Sequence, residues 1–191
     1  MRLAGYVIQG AEPGPGTGYT YVLAGNGLFL ESQNHLLAAR ILVAPALVRG
    51  LPALDPLLEL KHGPIPGHLL ALATDVMAAR PDQEMYAAII WDGANYSLRL
   101  PEQEADVGHV TYQVVPGTVA DLHSHGRMGA FFSPQDDRDD QGLVVSVVLG
   151  HLDELMPQAM ARLCVYGYFS PVSLAEVFDR VPSGLDDAWS I

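Results

Sequence analysis

The chain of 191 residues holds a single cysteine, Cys164. One thiol excludes an intramolecular disulfide and any cysteine-based metal cluster. In the strand-like run Arg162-Leu163-Cys164-Val165-Tyr166 it reads as a buried, inert side chain. Cations are also scarce, with 10 Lys and Arg against 22 Asp and Glu and a net charge of −12. They are scattered, so the chain lacks the clustered charge that neutralises phosphates, and a nucleic-acid-binding face is not expected. The acidic balance favours solubility and the steering of basic partners. Long apolar runs are missing as well. Nothing approaches the roughly 18 residues that span a bilayer, and Met1-Arg2-Leu3-Ala4-Gly5 opens no apolar run of signal-peptide length. The expectation is a cytoplasmic protein without a membrane segment. What is plentiful is core material: 49% of residues are hydrophobic and 17% charged. That suits one domain, or one domain with a modest extension.

Residues 1–48 read as β-rich. Gly5 to Ile8, Tyr19 to Leu23, Gly27 to Glu31 and Leu36 to Val43 are strand candidates, and Gly25-Asn26-Gly27 carries hairpin chemistry. Gly14, Gly16 and Gly18 mimic part of a dinucleotide fingerprint, but prolines flank them and no helix pattern follows, so a turn is expected. Residues 49–66 read as loop. From Gly67 to Arg80, Leu69, Leu70, Leu72, Ala73, Val76 and Met77 recur at helical spacing, and Pro81 ends the pattern. Glu84 to Trp91 reads as a buried strand, Asp92 to Asn95 as a turn and Tyr96 to Leu100 as the return. An acidic loop from Pro101 to Gly108 precedes strands at Val110 to Val115 and Thr118 to Leu122. Gly142 to Gly150 and Ala161 to Phe169 are apolar strands, and Ser173 to Phe178 a short helix. Strands mixed with a few helices predict an α/β fold around a mixed sheet.

The segment His123-Ser124-His125-Gly126-Arg127-Met128-Gly129-Ala130-Phe131-Phe132-Ser133-Pro134-Gln135-Asp136 carries the chemistry. Two histidines two apart, at the end of the run Val119-Ala120-Asp121-Leu122, share one face of a strand. Asp136 returns after a loop to complete three N/O ligands, which leaves one tetrahedral position open, as in a catalytic zinc site. Such a metal lowers the pKa of a bound water to ~7. Blander readings stand beside this one. The histidines could be a loop pair. Ser133-Pro134-Gln135-Asp136 is also a helix start, with a serine cap, proline at the first position and an acid at the third. Asp136 opens the run Asp136-Asp137-Arg138-Asp139-Asp140, usually a solvated feature. His35, His62, His68, His109 and His151 have no partners at ligand spacing. Phe131-Phe132 packs under the loop or walls the cleft.

The spacing H-x-H-x(7)-S-x-x-D resembles the motif of the JAMM metallopeptidases, also called MPN-plus domains, over about residues 65 to 180. The resemblance implies a mixed β-sheet flanked by helices at 63–191, preceded by a β-rich extension at 1–62. It implies that His123, His125 and Asp136 hold zinc and that Ser133 supports the oxyanion. The family's upstream glutamate matches Glu84, in Arg80-Pro81-Asp82-Gln83-Glu84-Met85, ahead of rivals Glu102 and Glu104 in the acidic loop. Two positions depart from the family: Gly126 stands where proline is usual, and Met85-Tyr86 where many members have a small residue and glycine. Within the family the chain is similar to the PRTRC system protein A group of bacterial plasmids and integrated elements. That narrower similarity rests on length, the N-terminal extension and the His-Ser-His-Gly variant.

What the resemblance implies is a zinc-dependent peptidase or isopeptidase that cleaves at the C-terminal tail of a ubiquitin-like protein. Glu84 is then general base and acid, and an activating-enzyme-like protein a possible further partner. Two other classes stay open: an MPN-like scaffold without useful turnover, and a metal hydrolase of a non-peptide bond.

Overall fold

The structure is a computed structural model and describes residues 2–8, 17–101, 103–106, 109–112 and 115–189. Its elements in chain order are β1 (Arg2–Ile8), β2 (Thr17–Ala24), β3 (Gly27–Gln33), β4 (Leu37–Pro45), β5 (Leu57–Leu60), α1 (Gly67–Ala78), β6 (Tyr86–Trp91), β7 (Tyr96–Arg99), β8 (Gln103–Asp106), β9 (His109–Tyr112) and β10 (Thr118–Ser124). There follow α2 (Pro134–Asp139), β11 (Leu143–Gly150), β12 (Gln158–Val165), β13 (Tyr168–Val172), α3 (Leu174–Val177) and β14 (Asp186–Asp187). The chain is thus a mixed α/β protein.

The first five strands form one sheet in the order β1-β2-β3-β4-β5. The second sheet runs β13-β12-β11-β10-β6-β7, with β14 added on β12, and among the described residues β8 and β9 form a separate two-stranded sheet. The expected division after residue 62 falls in the turn between β5 and α1. A single apolar core crosses it, since Leu30, Leu37 and Ile41 of the first sheet pack in one cluster with Leu70, Met77, Leu122, Val147 and Leu163. α1 contributes through the stripe Leu69, Leu70, Ala73 and Met77, which is buried while Leu72 is exposed. This is the one-sided pattern a surface helix needs. No side chain of its own caps α1; instead Gly67 N donates to Asp179 Oδ1 at 2.7 Å. Among the described residues no helix is long and apolar enough to cross a membrane.

Three local expectations are corrected. Residues 57–60, read as loop, form β5 against β4. The run is short, follows Pro56 and lies at the sheet's edge, where proline is tolerated. The acidic stretch after Pro101 contains β8, paired with β9; it lacks the apolar alternation by which a strand is read. The single strand expected over Ala161 to Phe169 is a hairpin, β12 and β13, that turns through Tyr166 and Gly167. Tyr166 takes φ of 51° there, a conformation uncommon for non-glycine residues and so absent from turn signals. Of the expected glycine-rich turn, Gly14 and Gly16 lie outside the described residues and Gly18 falls in β2. The rival acid Glu102 also lies outside them.

Candidate metal centre

β10 is the central strand of the second sheet. It pairs antiparallel with β6 and parallel with β11. A parallel pair cannot close by a tight hairpin and needs a crossover. Here the crossover is residues 125–142, and it carries both the loop after the histidines and α2. The strand's two faces are chemically distinct. Ala120 and Leu122 enter the apolar core. Asp121 and His123 face the other way, in register with Ser146 and Val148 of β11 and with Ala88 and Tyr86 of β6. His125 follows the strand, and its N–H donates to Leu149 O at 2.8 Å, which prolongs the ladder by one residue. The strand period therefore delivers both imidazoles to one side.

Ser124, between them, is wholly buried and points the other way. Its Oγ accepts from Met85 N at 3.0 Å, while Ser124 N donates to Met85 O at 2.9 Å. The serine thus ties the segment bearing Glu84 to the segment bearing the histidines. Gly126 adds a second tie. It has φ of 59°, and a Cβ there would lie 2.2 Å from Pro81 O. Proline, locked near −65°, cannot take this conformation, which accounts for the departure from the family's residue. The close approach seats residues 80–84 against the loop, and Arg127 spans outward to Asp82 and Asp153, each at 2.8 Å.

On the far side of the cleft Ser133 caps α2. Its Oγ accepts from Gln135 N and Asp136 N, both at 3.2 Å, and Asp136 Oδ2 accepts from Ser133 N at 2.5 Å. Both readings of this tetrapeptide hold together, because the reciprocal cap directs Asp136 toward the histidines. Asp136 Oδ1 lies 3.4 Å from His123 Nε2, and Oδ2 lies 3.9 Å from His125 Nε2. Among the described residues His123, His125 and Asp136 form a metal-capable group whose ligand atoms all lie within 4.8 Å of one another. Glu84, Ser133, Asp121, Met128 and Phe131 line the same cleft, of about 230 Å³. Among the described residues, His35, His62, His68 and His151 do not join it.

The donor set fits a divalent cation. His123 Nε2 is buried and makes no hydrogen bond, an arrangement rare for a buried polar atom unless an ion or water completes it. His125 is pushed down to about 4 by burial and by the charge of His123, against the opposing pull of Asp136. It is therefore neutral at pH 7, the form that binds metals. Burial disfavours charge on His123, but the Asp136 carboxylate beside it, with Asp121 and Asp140, outweighs burial and raises its pKa. Asp136 itself is buried enough to favour protonation, yet His123 and the Ser133 cap hold it far below the usual carboxylate range. His123 Nε2 and Asp136 Oδ1 thus face each other at 3.4 Å across a space a cation would fill. Zinc, with N and O ligands at tetrahedral number, suits three such groups with one position open.

Three groups around this cluster, Asp121, Asp140 and Arg162, lie outside the motif. Asp121 accepts from Ser146 Oγ at 2.5 Å, and its pKa is pushed up to about 7 by burial and by Asp140. Asp140 and Arg162 are buried together. The available signal was a lone aspartate and a lone arginine inside otherwise apolar strands, positions where charge is expensive unless paired. Cys164 is fully buried, donates to Asp140 O at 2.9 Å and is pushed up to about 12 by burial; it is the inert thiol expected.

Residues 113–164 match the family model described as prokaryotic homologs of the JAB domain. No curated protein matches the chain. The matched segment takes in β10, the crossover with α2, β11 and most of β12, and so contains His123, His125, Ser133 and Asp136; Glu84 lies outside it. That match, on a mixed α/β fold with a His-His-Asp cluster, makes residues 113–164 similar to the JAB domain of prokaryotic proteins.

Proposed function

We propose that the protein is a zinc-dependent peptidase or isopeptidase, acting in the cytoplasm on the C-terminal tail of a ubiquitin-like protein. The observation that carries this reading is the half-buried His123-His125-Asp136 cluster, in which His123 Nε2 faces Asp136 without a hydrogen bond, at the head of a cleft that also holds Glu84 and Ser133. Zinc held by these three side chains would supply a Lewis acid that activates water and polarises a carbonyl. Glu84, on the segment anchored by Ser124 and Gly126, accepts the water's proton and passes it to the departing amine. Ser133 presents its hydroxyl to the oxygen that becomes negative. Met128 and Phe131, 51% and 44% exposed, form an apolar lip where the extended tail would lie. Small tail residues fit beside the cluster, and tail backbone groups would pair with the cleft's edge. The similarity to the PRTRC system protein A group supports a β-grasp-like substrate and an activating-enzyme-like partner.

The test is metal content followed by digestion. The full chain should carry about one zinc, as three protein ligands and a water imply, and should cut a tail-extended β-grasp protein after its Gly- or Ala-rich tail. Zinc at full occupancy with no cut at the junction would favour a scaffold. Cleavage confined to small non-peptide amides or esters would favour another hydrolase.

A further inference from the structure

Behind the metal cluster lies a charged side chain with no part in the reaction described above. Arg162, in β12, is 6% exposed at its side chain. Its guanidinium lies between two rings, 3.9 Å from the centroid of Phe132 and 3.8 Å from that of Phe169. Nε and Nη2 donate to Asp140 Oδ2 at 3.2 and 2.7 Å, and Nη1 donates to Asp137 Oδ1 at 2.5 Å. All of its donors but those turned away are therefore directed at α2 and its C-cap, and one stacking face holds the residue just before the Ser133 cap.

α2 needs such an anchor. It is short, carries four aspartates with its C-cap and buries no residue of its own. No apolar stripe fixes it to the sheet, and a helix of this length is not stable alone. Yet it must place Asp136 against two histidines that belong to the sheet. A rigid planar cation can do this where a lysine cannot, because the guanidinium grips two carboxylates and stacks on two rings in one geometry. Its charge also offsets the buried Asp140.

We propose that Arg162 is a positioning residue for the metal centre: it clamps α2 and Phe132 to the sheet, and thereby sets Asp136 and Ser133 opposite His123 and His125. This rests on the metal reading given above. The test uses the full chain with zinc, and with cobalt(II) as a spectroscopic stand-in. Arg162→Lys keeps the cation and loses the fork. Zinc affinity, measured by competition with a chromophoric chelator, is expected to fall 10- to 100-fold, the usual cost of an altered supporting group. The visible bands of the cobalt protein should shift as Asp136 loses its orientation. A role in stability alone would lower the melting temperature while leaving zinc affinity and the cobalt spectrum of the folded protein unchanged, and that outcome overturns the proposal. Should Arg162→Lys fail to fold, Asp137→Ala decides. It removes one arm of the clamp at a half-exposed carboxylate, and it should weaken zinc by about ten-fold, the lower end of that range; unaltered affinity there overturns the proposal. A wild-type chain that takes up no zinc overturns the metal reading and this inference with it, whereas equal uptake by wild type and variants overturns this inference alone.

Discussion

Gly126→Ala is the sharpest single test of how the cleft is assembled. Two costs add. A non-glycine residue at φ of 59° is in the left-handed region, worth about 1–2 kcal/mol. The new Cβ would also meet Pro81 O at 2.2 Å, which no side chain tolerates. Either the turn at residues 126–128 or the Pro81 segment must retreat, at a further cost of about 1–3 kcal/mol by analogy with overpacking. The sum, about 2–5 kcal/mol, corresponds to a fall in melting temperature on the order of 5–15 °C for a chain of this size. Gly63→Ala is the matched control, since Gly63 has φ of 80° and nothing within 4 Å of the added atom; it should lose only the conformational share. The retreat would also move the segment carrying Glu84, so turnover should drop more than stability explains, with zinc content kept. Differential scanning calorimetry of both variants at one pH reads the energies, and metal analysis with a cleavage assay reads the rest. Equal melting temperatures for the two variants would refute the reasoning, because the Pro81 contact would then contribute nothing.

His123→Ala and His125→Ala should each remove most of the zinc, read by metal analysis; full occupancy in both would place the ion elsewhere. Glu84→Gln should keep zinc and fold yet abolish hydrolysis, because an amide cannot take a proton; undiminished activity would remove Glu84 from the mechanism. Leu122→Ala, which empties a fully buried position on β10, should cost about 2–5 kcal/mol in urea unfolding. The pH dependence of the apoprotein involves two opposed groups. His125, lowered to about 4 in the fold, binds fewer protons than when unfolded, so its contribution falls as pH drops from about 6.5 to 4. Asp121, raised to about 7, binds more protons folded than unfolded, so its contribution grows as pH drops through the same window. The two slopes oppose each other in the wild type. Asp121→Asn should unmask the histidine, giving apoprotein that weakens by about 3 kcal/mol on acidification over that range; a variant with the pH dependence of the wild type would show that His125 does not titrate as described.

Legibility of the sequence followed the range of the interactions involved. α1 was visible because its apolar stripe repeats at helical spacing, and β10 because His123 and His125 obey the strand period. The helix start at Ser133 was visible because capping is a contact over three residues. β5 was missed because a four-residue edge strand following a proline has no periodicity to read. Glu84 could be placed only by resemblance, since the pairing of β6 with β10 that brings it to the histidines joins residues far apart in the chain. The acidic run after Ser133 shows the limit most clearly. Its composition says solvated, and the exposed Asp139 carboxylate indeed accepts from Gln135 Nε2 at the surface. Asp136 turns into the cleft and Asp140 is buried against Arg162. Helical geometry sorts these neighbours onto different faces, but which face meets the sheet is decided by a residue of β12 that no local pattern connects to them.

The crossover between β10 and β11 explains why the chemistry gathers where it does. An antiparallel pair would have returned through a tight turn directly over the strand ends and covered the histidines. The parallel pair forces the chain to leave the sheet and come back, so backbone of irregular shape accumulates beside the carboxyl end of β10. That segment has few apolar side chains with which to pack. It is held instead by polar devices: the Ser133–Asp136 cap, the Arg162 clamp, and backbone bonds from His151 N to Met128 O at 2.7 Å and from Leu152 N to Gly126 O at 2.9 Å. A segment fixed by polar groups presents polar groups, and an imidazole nitrogen that faces a carboxylate without a hydrogen bond is what such a segment can leave at its centre. The placement of the cluster at this crossover thus follows from the parallel pairing of two strands.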